Sequence, residues 1–269
     1  MHRSTAELPS AIANAELHRR LEGRRVALFC DYDGTLTPIV ARPELARLDP
    51  ATRATLERVA DRCVVAIISG RDLADVMHMV ALERVWYAGS HGFEVWGPGG
   101  ERGEREEGRR LLGPLAEAAD ELERSVADIP GARVERKRFA IAIHFRQVDD
   151  GRIADVEGAV DRARDRHPGL RKTGGKRIFE LRPDVEWDKG RALWWVFERA
   201  ALQPDRILPI YLGDDVTDED AFAALGDRGV GIVVEDGDRP THAEYRLANP
   251  REVREFLVEL AERLEGTEG

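Results

Sequence analysis

V-A-L-F-C-D-Y-D-G-T-L-T-P-I, running from Val26 to Ile39, passes from apolar core to charged chemistry in a single step. Val26 to Cys30 is an apolar run of strand length, and Asp31 and Asp33 follow it directly. Gly34 and Pro38 end the strand in a turn, which sets both aspartates at its carboxyl end, where open parallel α/β sheets place their ligands. Two carboxylates this close repel each other unless a cation or a shared proton intervenes, and an oxygen-rich site of this kind suits a hard divalent ion such as magnesium. An acidic turn without function accounts for D-x-D alone equally well. The full D-Y-D-G-T-L after an apolar strand is the more specific signal.

At 269 residues the chain exceeds the usual size of one domain, so two modules sharing or dividing a core are expected. A formal net charge of -10 with 34% charged residues argues against nucleic acid or an anionic membrane as partner, because both prefer a basic surface. A small anionic substrate would need a local positive pocket. Cys30 and Cys63, the only cysteines, lie in apolar strand-like runs and read as buried thiols rather than a disulfide framework or a zinc site. The opening M-H-R-S-T-A-E-L-P-S has no apolar signal region, and no apolar run of about 18 or more residues occurs, so a soluble cytoplasmic protein is expected. Of 41 basic residues 37 are arginine; Lys137, Lys172, Lys176 and Lys189 are therefore candidates for work needing a compact point charge, although chance places four lysines in one span too.

Buried strands ending in chemistry-bearing turns recur down the chain. Residues 10–22 read as a short amphipathic helix, and Asp49 or Thr52 starts a second one carrying Leu56 and Val59. Cys63 to Ile68 is a second buried strand, ending at Ser69-Gly70-Arg71. A hydroxyl and turn amides there can bond phosphate oxygens and Arg71 can hold an anion or sugar oxygens, though a helix N-cap with a glycine turn reads the same way. Val85 to Ala88 is a third strand, followed by a hairpin in which His91 either reaches a substrate or only closes the turn. The charge run from Glu101 to Arg110 reads as a solvated connection and a domain boundary.

Beyond that boundary the periodicity changes. Leu111 to Val126 has helical spacing, and Phe139 to Arg146 alternates, with Phe139, Ile141, Ile143 and Phe145 on one face and Ala140, Ala142, His144 and Arg146 on the other. Glu135 and Lys137 share a face of Arg133 to Arg138; after a helix near Arg152 to His167, a strand from Lys176 to Arg182 sets Phe179 and Leu181 against Lys176, Glu180 and Arg182. A small sheet backed by two helices results, its open charged face either simply solvated or serving as a lid over a site in the flanking core.

W-D-K-G returns the chain to that core, with Lys189 heading a helix capped by Asp188, while Trp187, Trp194 and Trp195 read as core or lid contacts. Ile207 to Leu212 is another buried strand ending in G-D-D-V-T-D-E-D, and Asp214, Asp215, Asp218, Glu219 and Asp220 together exceed what helix capping explains. With Asp31 and Asp33 at a neighbouring strand end, a shared magnesium site is the economical reading. Val230 to Val234 is the last clear core strand, and Asn249-Pro250-Arg251-Glu252 starts a final helix. The fold class expected is α/β: a Rossmann-like doubly wound parallel-sheet core of residues 1–107 and 186–269, with a smaller α/β cap, residues 108–185, inserted into it.

With D-Y-D-G-T-L, S-G-R, W-D-K-G and G-D-D-V-T-D-E-D in order, each in its strand context, the chain resembles the haloacid dehalogenase superfamily of phosphotransferases. Y-A-G-S-H-G-F-E, V-E-R-K, I-H-F-R and G-K-R-I-F-E-L-R-P narrow this to a resemblance to the trehalose-6-phosphate phosphatases, covering Val26 to Asp220 and more loosely the remainder. The resemblance implies hydrolysis of trehalose 6-phosphate, with Asp31 as nucleophile and Asp33 as general acid/base. It implies magnesium held by Asp31, the backbone carbonyl of Asp33 and Asp214, with Asp218 as a further candidate. Ser69, Gly70 and Lys189 would bind phosphate; Glu135, Lys137 and Glu180 would bind the sugar, with Arg71, His144, Arg146 and Lys176 as additional substrate contacts. Arg42 precedes Pro43 where family members often carry an acid. The alternatives are the same chemistry on sucrose 6-phosphate or a glycosyl-glycerate phosphate, and a catalytically silent sugar-phosphate-binding regulatory module. Glu135, Lys137 and Glu180 suit an uncharged sugar, and the intact Asp31, Asp33, Lys189 and Asp214 weigh against a silent module. Association with a trehalose-phosphate synthase is left open.

Overall fold

The computed structural model of the chain describes residues 3–40, 42–175, 177–235 and 237–266. In chain order the principal elements are α1 (Ala15–Leu21), β1 (Arg25–Cys30), α2 (Pro50–Ala60), β2 (Val64–Ile68), α3 (Leu73–Val80), β3 (Val85–Gly89), β4 (Glu94–Trp96) and β5 (Arg102–Glu104). There follow α4 (Leu112–Val126), β6 (Arg133–Arg136), β7 (Ile141–His144), α5 (Ile153–Arg166), β8 (Leu170–Gly175) and β9 (Ile178–Pro183). The chain closes with α6 (Lys189–Arg199), β10 (Ile207–Gly213), α7 (Glu219–Leu225), β11 (Val230–Val234), β12 (Tyr245–Leu247) and α8 (Pro250–Gly266). Two compact units form, one of Met1–Gly103 with Trp187–Gly269, the other of Glu104–Glu186.

In the larger unit the sheet order is β12-β11-β10-β1-β2-β3-β4-β5. The strands from β12 to β3 are parallel, and β4 folds back antiparallel on β3. Continuous apolar runs are what a parallel sheet covered on both faces requires. Leu28 and Cys30 pack into one layer with Leu56 and Val59 of α2, Val76 and Val80 of α3, and Phe256 and Leu257 of α8. Ala27 and Phe29 pack into the other with Leu193, Val196 and Phe197 of α6 and Phe222 of α7. Each fully buried Leu, Val or Phe contributes roughly 1.5–3 kcal/mol, so β1 is anchored from both sides. The order reverses between β1 and β10: later strands run outward on one side from β1 to β3 and on the other from β10 to β12. Such a switch point opens a crevice at the carboxyl ends.

Side-chain caps set several helix starts. Asp49 accepts from the Thr52 amide ahead of α2, Asp188 from the Arg191 amide ahead of α6, and Asn249 from the Arg251 and Glu252 amides ahead of α8. Asn14 caps α1, which is shorter than the expected span of residues 10–22; Ile12 lies outside the helix yet packs on the core. The expected solvated connection from Glu101 to Arg110 instead contains β5 and a single helical turn, Glu106–Arg109. Cys30 is buried and Cys63, just ahead of β2, is partly buried; both are free thiols.

The smaller unit carries an antiparallel sheet ordered β6-β7-β9-β8, backed on one face by α4 and α5 through Leu115, Leu122, Val156 and Val160. Its strand β8 was not expected, because Leu170-Arg171-Lys172-Thr173-Gly174-Gly175 is a polar, glycine-ended edge strand with little apolar signal. The strands are also shorter than alternation suggested: Lys137 follows β6 in a turn closed by its own amide to the Ala140 carbonyl, and Arg146 lies exposed in the turn after β7. No helix among the described residues is long and apolar enough to cross a membrane.

Candidate active site

The site begins where the β1–β10 ladder ends. The Asp31 amide donates to the Leu212 carbonyl at 2.8 Å, extending the pairing by one residue and fixing the aspartate at the crevice. Asp31 is 5% exposed, Lys189 3% and Asp218 0%, so three charged side chains share a nearly dry space. Lys189, the first residue of α6, holds its Nζ 3.2 Å from Asp31 Oδ1 and 2.7 Å from Asp218 Oδ1. Asp218 accepts twice more, from the Tyr211 hydroxyl at 2.6 Å and from the Asp215 amide at 2.9 Å. Gly213 is required beneath it, since a Cβ there would overlap the Asp218 side chain.

Asp214 completes the group. Thr35 Oγ1 donates to its Oδ1 at 3.1 Å, and Gly34, with φ of +84°, passes so close that a Cβ would overlap its carboxylate. One oxygen from each of Asp31, Asp214 and Asp218 lies within 4.8 Å of the others. Three carboxylates face one ammonium, and the electrostatics report the excess. Burial, with Asp218 and Asp214 nearby, pushes Asp31 well above the usual aspartate range against the pull of Lys189. Burial and Asp218 push Asp214 up to about 7. Burial opposes the Lys189 ammonium, yet Asp218 and Asp31 outweigh it and hold its pKa above the ordinary lysine value. Three carboxylates in this arrangement could hold a divalent cation. All-oxygen donors fit a hard ion rather than a thiolate- or imidazole-seeking one.

The other acids of the G-D-D-V-T-D-E-D turn do not join this group. Asp215 caps the turn by accepting from the Val216 amide, and Glu219 is occupied by Arg239 at 2.6 Å and the His242 amide at 2.7 Å. The carboxylate of Asp33 also lies outside it. Arg71 grips both Asp33 oxygens, Nε to Oδ2 and Nη2 to Oδ1, each at 2.6 Å, and stacks 5.6 Å from the centroid of the Tyr32 ring. Ser69 is buried at the end of β2, its hydroxyl accepting from the Arg71 amide at 3.2 Å.

The loop after β3 clamps that segment. His91 N–H donates to the Ser69 carbonyl at 2.8 Å and Ser90 N–H to the Arg71 carbonyl at 2.6 Å, while the His91 ring lies against Gly70, where a Cβ would come within 2.8 Å of Cε1. Ser90 and His91 both adopt left-handed backbone, with φ of 51° and 57°. Such non-glycine strain costs on the order of 1–3 kcal/mol per residue and persists where the surroundings enforce it. The hairpin reading of this segment was correct, and its glycines explain only part of the turn.

In the smaller unit, Glu135, Ala142 and Glu180 lie in register across β6, β7 and β9. His144 Nε2 is 2.6 Å from Glu135 Oε2 and Lys137 Nζ donates to Glu180 Oε1 at 3.0 Å, a hydrogen-bonded pair beside an ion pair. The Glu135 carboxyl is held below its usual range by the His144 hydrogen bond, with burial opposing. Arg146 is exposed beyond β7, and Lys176 lies outside the described residues. Thr35 and Tyr211 escaped the sequence reading. Thr35 sits inside the D-Y-D-G-T-L motif, and Tyr211 precedes Gly213 by two, the strand spacing that returns a side chain to the same face.

A family model for trehalose-phosphatase matches residues 29–251. The chain is 48% identical over 261 residues to an uncharacterized glycosyl hydrolase of Mycobacterium tuberculosis (strain ATCC 25618 / H37Rv), covering 94% of this chain but 20% of that protein. It is 44% identical over 266 residues to the trehalose-phosphate phosphatase of the same strain, covering 97% of this chain and 68% of that protein. The chain therefore spans only about a fifth of the first relative's length. Among solved structures it resembles the C-terminal domain of the trehalose-6-phosphate phosphatase of C. albicans, with a TM-score of 0.76 and 26% identity over 95% of this chain and 98% of that one. With the family model spanning most of its length and a relative of this identity matched along nearly all of it, the chain belongs to the trehalose-phosphatase family.

Proposed function

We propose that the protein is a phosphoric monoester hydrolase that converts trehalose 6-phosphate to trehalose and inorganic phosphate, with magnesium as its cofactor. The observation that carries this reading is the Lys189 ammonium held between Asp31 and Asp218 at a strand end, with Asp214 alongside. A buried carboxylate beside a fixed cation is a nucleophile with its charge compensated, and phosphate monoesters need one because their hydrolysis in water is extremely slow.

In the first step an Asp31 oxygen attacks phosphorus and the bond from phosphorus to the sugar 6-oxygen breaks, leaving an aspartyl phosphate; Asp33 donates a proton to the departing oxygen. In the second step Asp33 takes a proton from water, whose oxygen attacks phosphorus, and the bond to Asp31 breaks to release phosphate. Lys189 has a third N–H for a phosphoryl oxygen beyond those used on Asp31 and Asp218, and Ser69 with the Gly70 amide would supply further donors. Asp31, Asp214 and the backbone carbonyl of Asp33 would hold magnesium, and the ion would supply charge neutralisation for the phosphoryl oxygens. Asp218, with three bonds already accepted, serves Lys189 rather than the ion. Arg71 holds Asp33 through both carboxylate oxygens, so one of them leaves Arg71 before Asp33 carries the proton it donates. Residues 108–185 act as the cap, and sugar hydroxyls are assigned to Glu135, Lys137 and Glu180, with His144 holding Glu135 in place. The free thiols Cys30 and Cys63 support a cytoplasmic setting.

The test is phosphate release from trehalose 6-phosphate, sucrose 6-phosphate, glucose 6-phosphate and glucosyl-3-phosphoglycerate, each with magnesium and with EDTA. Magnesium-dependent release from trehalose 6-phosphate alone is expected. Release from another member of the panel would keep the chemistry and discard the sugar assignment, and release from none would leave a binding module.

A further inference from the structure

Tyr211 takes no part in the steps above, yet its hydroxyl ends a buried chain that leads to the nucleophile. The chain runs from Tyr211 Oη to Asp218 Oδ1 at 2.6 Å, from Asp218 Oδ1 to Lys189 Nζ at 2.7 Å, and from Lys189 Nζ to Asp31 Oδ1 at 3.2 Å. Tyr211 and Asp218 are both 0% exposed, so water does not compete for these bonds. We propose that Tyr211 is a positioning residue for Lys189: by donating to the oxygen of Asp218 that Lys189 also uses, it fixes the ammonium beside Asp31.

The geometry of an ammonium makes this consequential. Its three N–H bonds are tetrahedrally arranged, so directions taken up by Asp218 and Asp31 decide where the third points. Asp218 is held on its other oxygen by the Asp215 amide and pressed from below by Gly213, which leaves Oδ1 as the oxygen whose position a second donor sets. The Tyr211 ring is itself fixed, edge-on to Phe222 with centroids 5.6 Å apart. The hydroxyl is the donor in its 2.6 Å bond to Asp218 Oδ1. Filling a core position would need the ring alone. The hydroxyl is what reaches the charged network.

This inference rests on the hydrolase reading, and the experiment separates the two. Tyr211→Phe keeps the ring and removes the donor. With trehalose 6-phosphate and magnesium, kcat is expected to fall about tenfold, as ~1.4 kcal/mol of lost transition-state stabilisation would give, while KM stays within about twofold. Affinity for orthovanadate, used as a probe of the phosphoryl site, is expected to fall by a similar factor in an otherwise native background and by less than about twofold in a Lys189→Met background. A packing role would instead lower the melting temperature and affect vanadate equally in both backgrounds, which overturns the proposal. So does a wild-type kcat in Tyr211→Phe. If wild-type protein releases no phosphate from any substrate of the panel, the hydrolase reading falls; if the wild type is active, Asp31→Asn is inactive and Tyr211→Phe is wild-type, only the inference about Tyr211 falls.

Discussion

Removing divalent cations should make this protein less stable as pH rises from about 5 to about 8, opposite to the trend for carboxylates that are paired in the folded state. The cause is the group of Asp31, Asp214 and Asp218 around a single lysine. Burial and the neighbouring Asp218 push Asp214 up to about 7, from an ordinary aspartate value of 3.8. Between those values the folded protein holds a proton that the unfolded chain has released, so the slope of stability with pH is negative; the penalty begins above about pH 4 and is complete above about pH 7. At 1.36 kcal/mol per unit, a shift of about three units is worth about 4 kcal/mol for Asp214, of which about 3 kcal/mol falls between pH 5 and pH 7, and Asp31, pushed in the same direction, adds to it. A carboxyl held low, such as Glu135, contributes the opposite slope, but below about pH 5, outside the window.

A cation that binds only the ionised carboxylates restores what the pH rise removes. Saturation at about one hundred times the dissociation constant contributes about 2.7 kcal/mol. At roughly 2–4 °C per kcal/mol for a domain of this size, the melting temperature of EDTA-treated protein should fall by about 10 °C across the window, and added magnesium should raise it far more at pH 8 than at pH 5. Calorimetry at constant ionic strength, with Asp214→Asn as the flattened control, measures both. A melting temperature that climbs with pH in EDTA, a magnesium shift independent of pH, or an unchanged slope in Asp214→Asn would each refute the electrostatic account of the site.

Asp31→Asn should abolish phosphate release while leaving the circular dichroism spectrum intact, and should raise the melting temperature of EDTA-treated protein because a buried acid becomes a neutral amide. Gly34→Ala combines a left-handed φ of +84° with overlap on the Asp214 carboxylate; a loss of about 1–3 kcal/mol and a weaker magnesium isotherm are expected. Combined Glu135→Ala, Lys137→Ala and Glu180→Ala should lower kcat/KM for trehalose 6-phosphate by at least about tenfold, and an unchanged value would end their assignment to the sugar. His91→Gly should raise the melting temperature, since glycine adopts the φ of 57° without strain; a lower one would mean that the ring packed on Gly70 outweighs the backbone cost.

The parts of the fold that were legible in the sequence are those whose signals are local. Val26 to Cys30 announces a strand because both its faces are covered, and Asp49, Asp188 and Asn249 announce helix starts because a cap needs only the next three residues. Strands β8 and β12 were missed for the converse reason: each is an edge strand, and Lys172, Thr173 and Arg246 interrupt the apolar pattern where one side of the strand faces away from the core. The acidic turn after β10 marks the limit more sharply. Composition alone made Asp214, Asp215, Asp218, Glu219 and Asp220 equivalent. What separates them is the β1–β10 register, which sets Leu212 against Cys30 and thereby brings Asp214 and Asp218 to Asp31, while Asp215 and Glu219 turn to a cap and an arginine. Where that pairing stops, and how the turn and helix that follow it wind, decides which of several acids becomes chemistry: Asp214 and Asp218, four residues apart, meet Asp31, while Asp215 and Glu219, also four apart, are taken by a cap and an arginine.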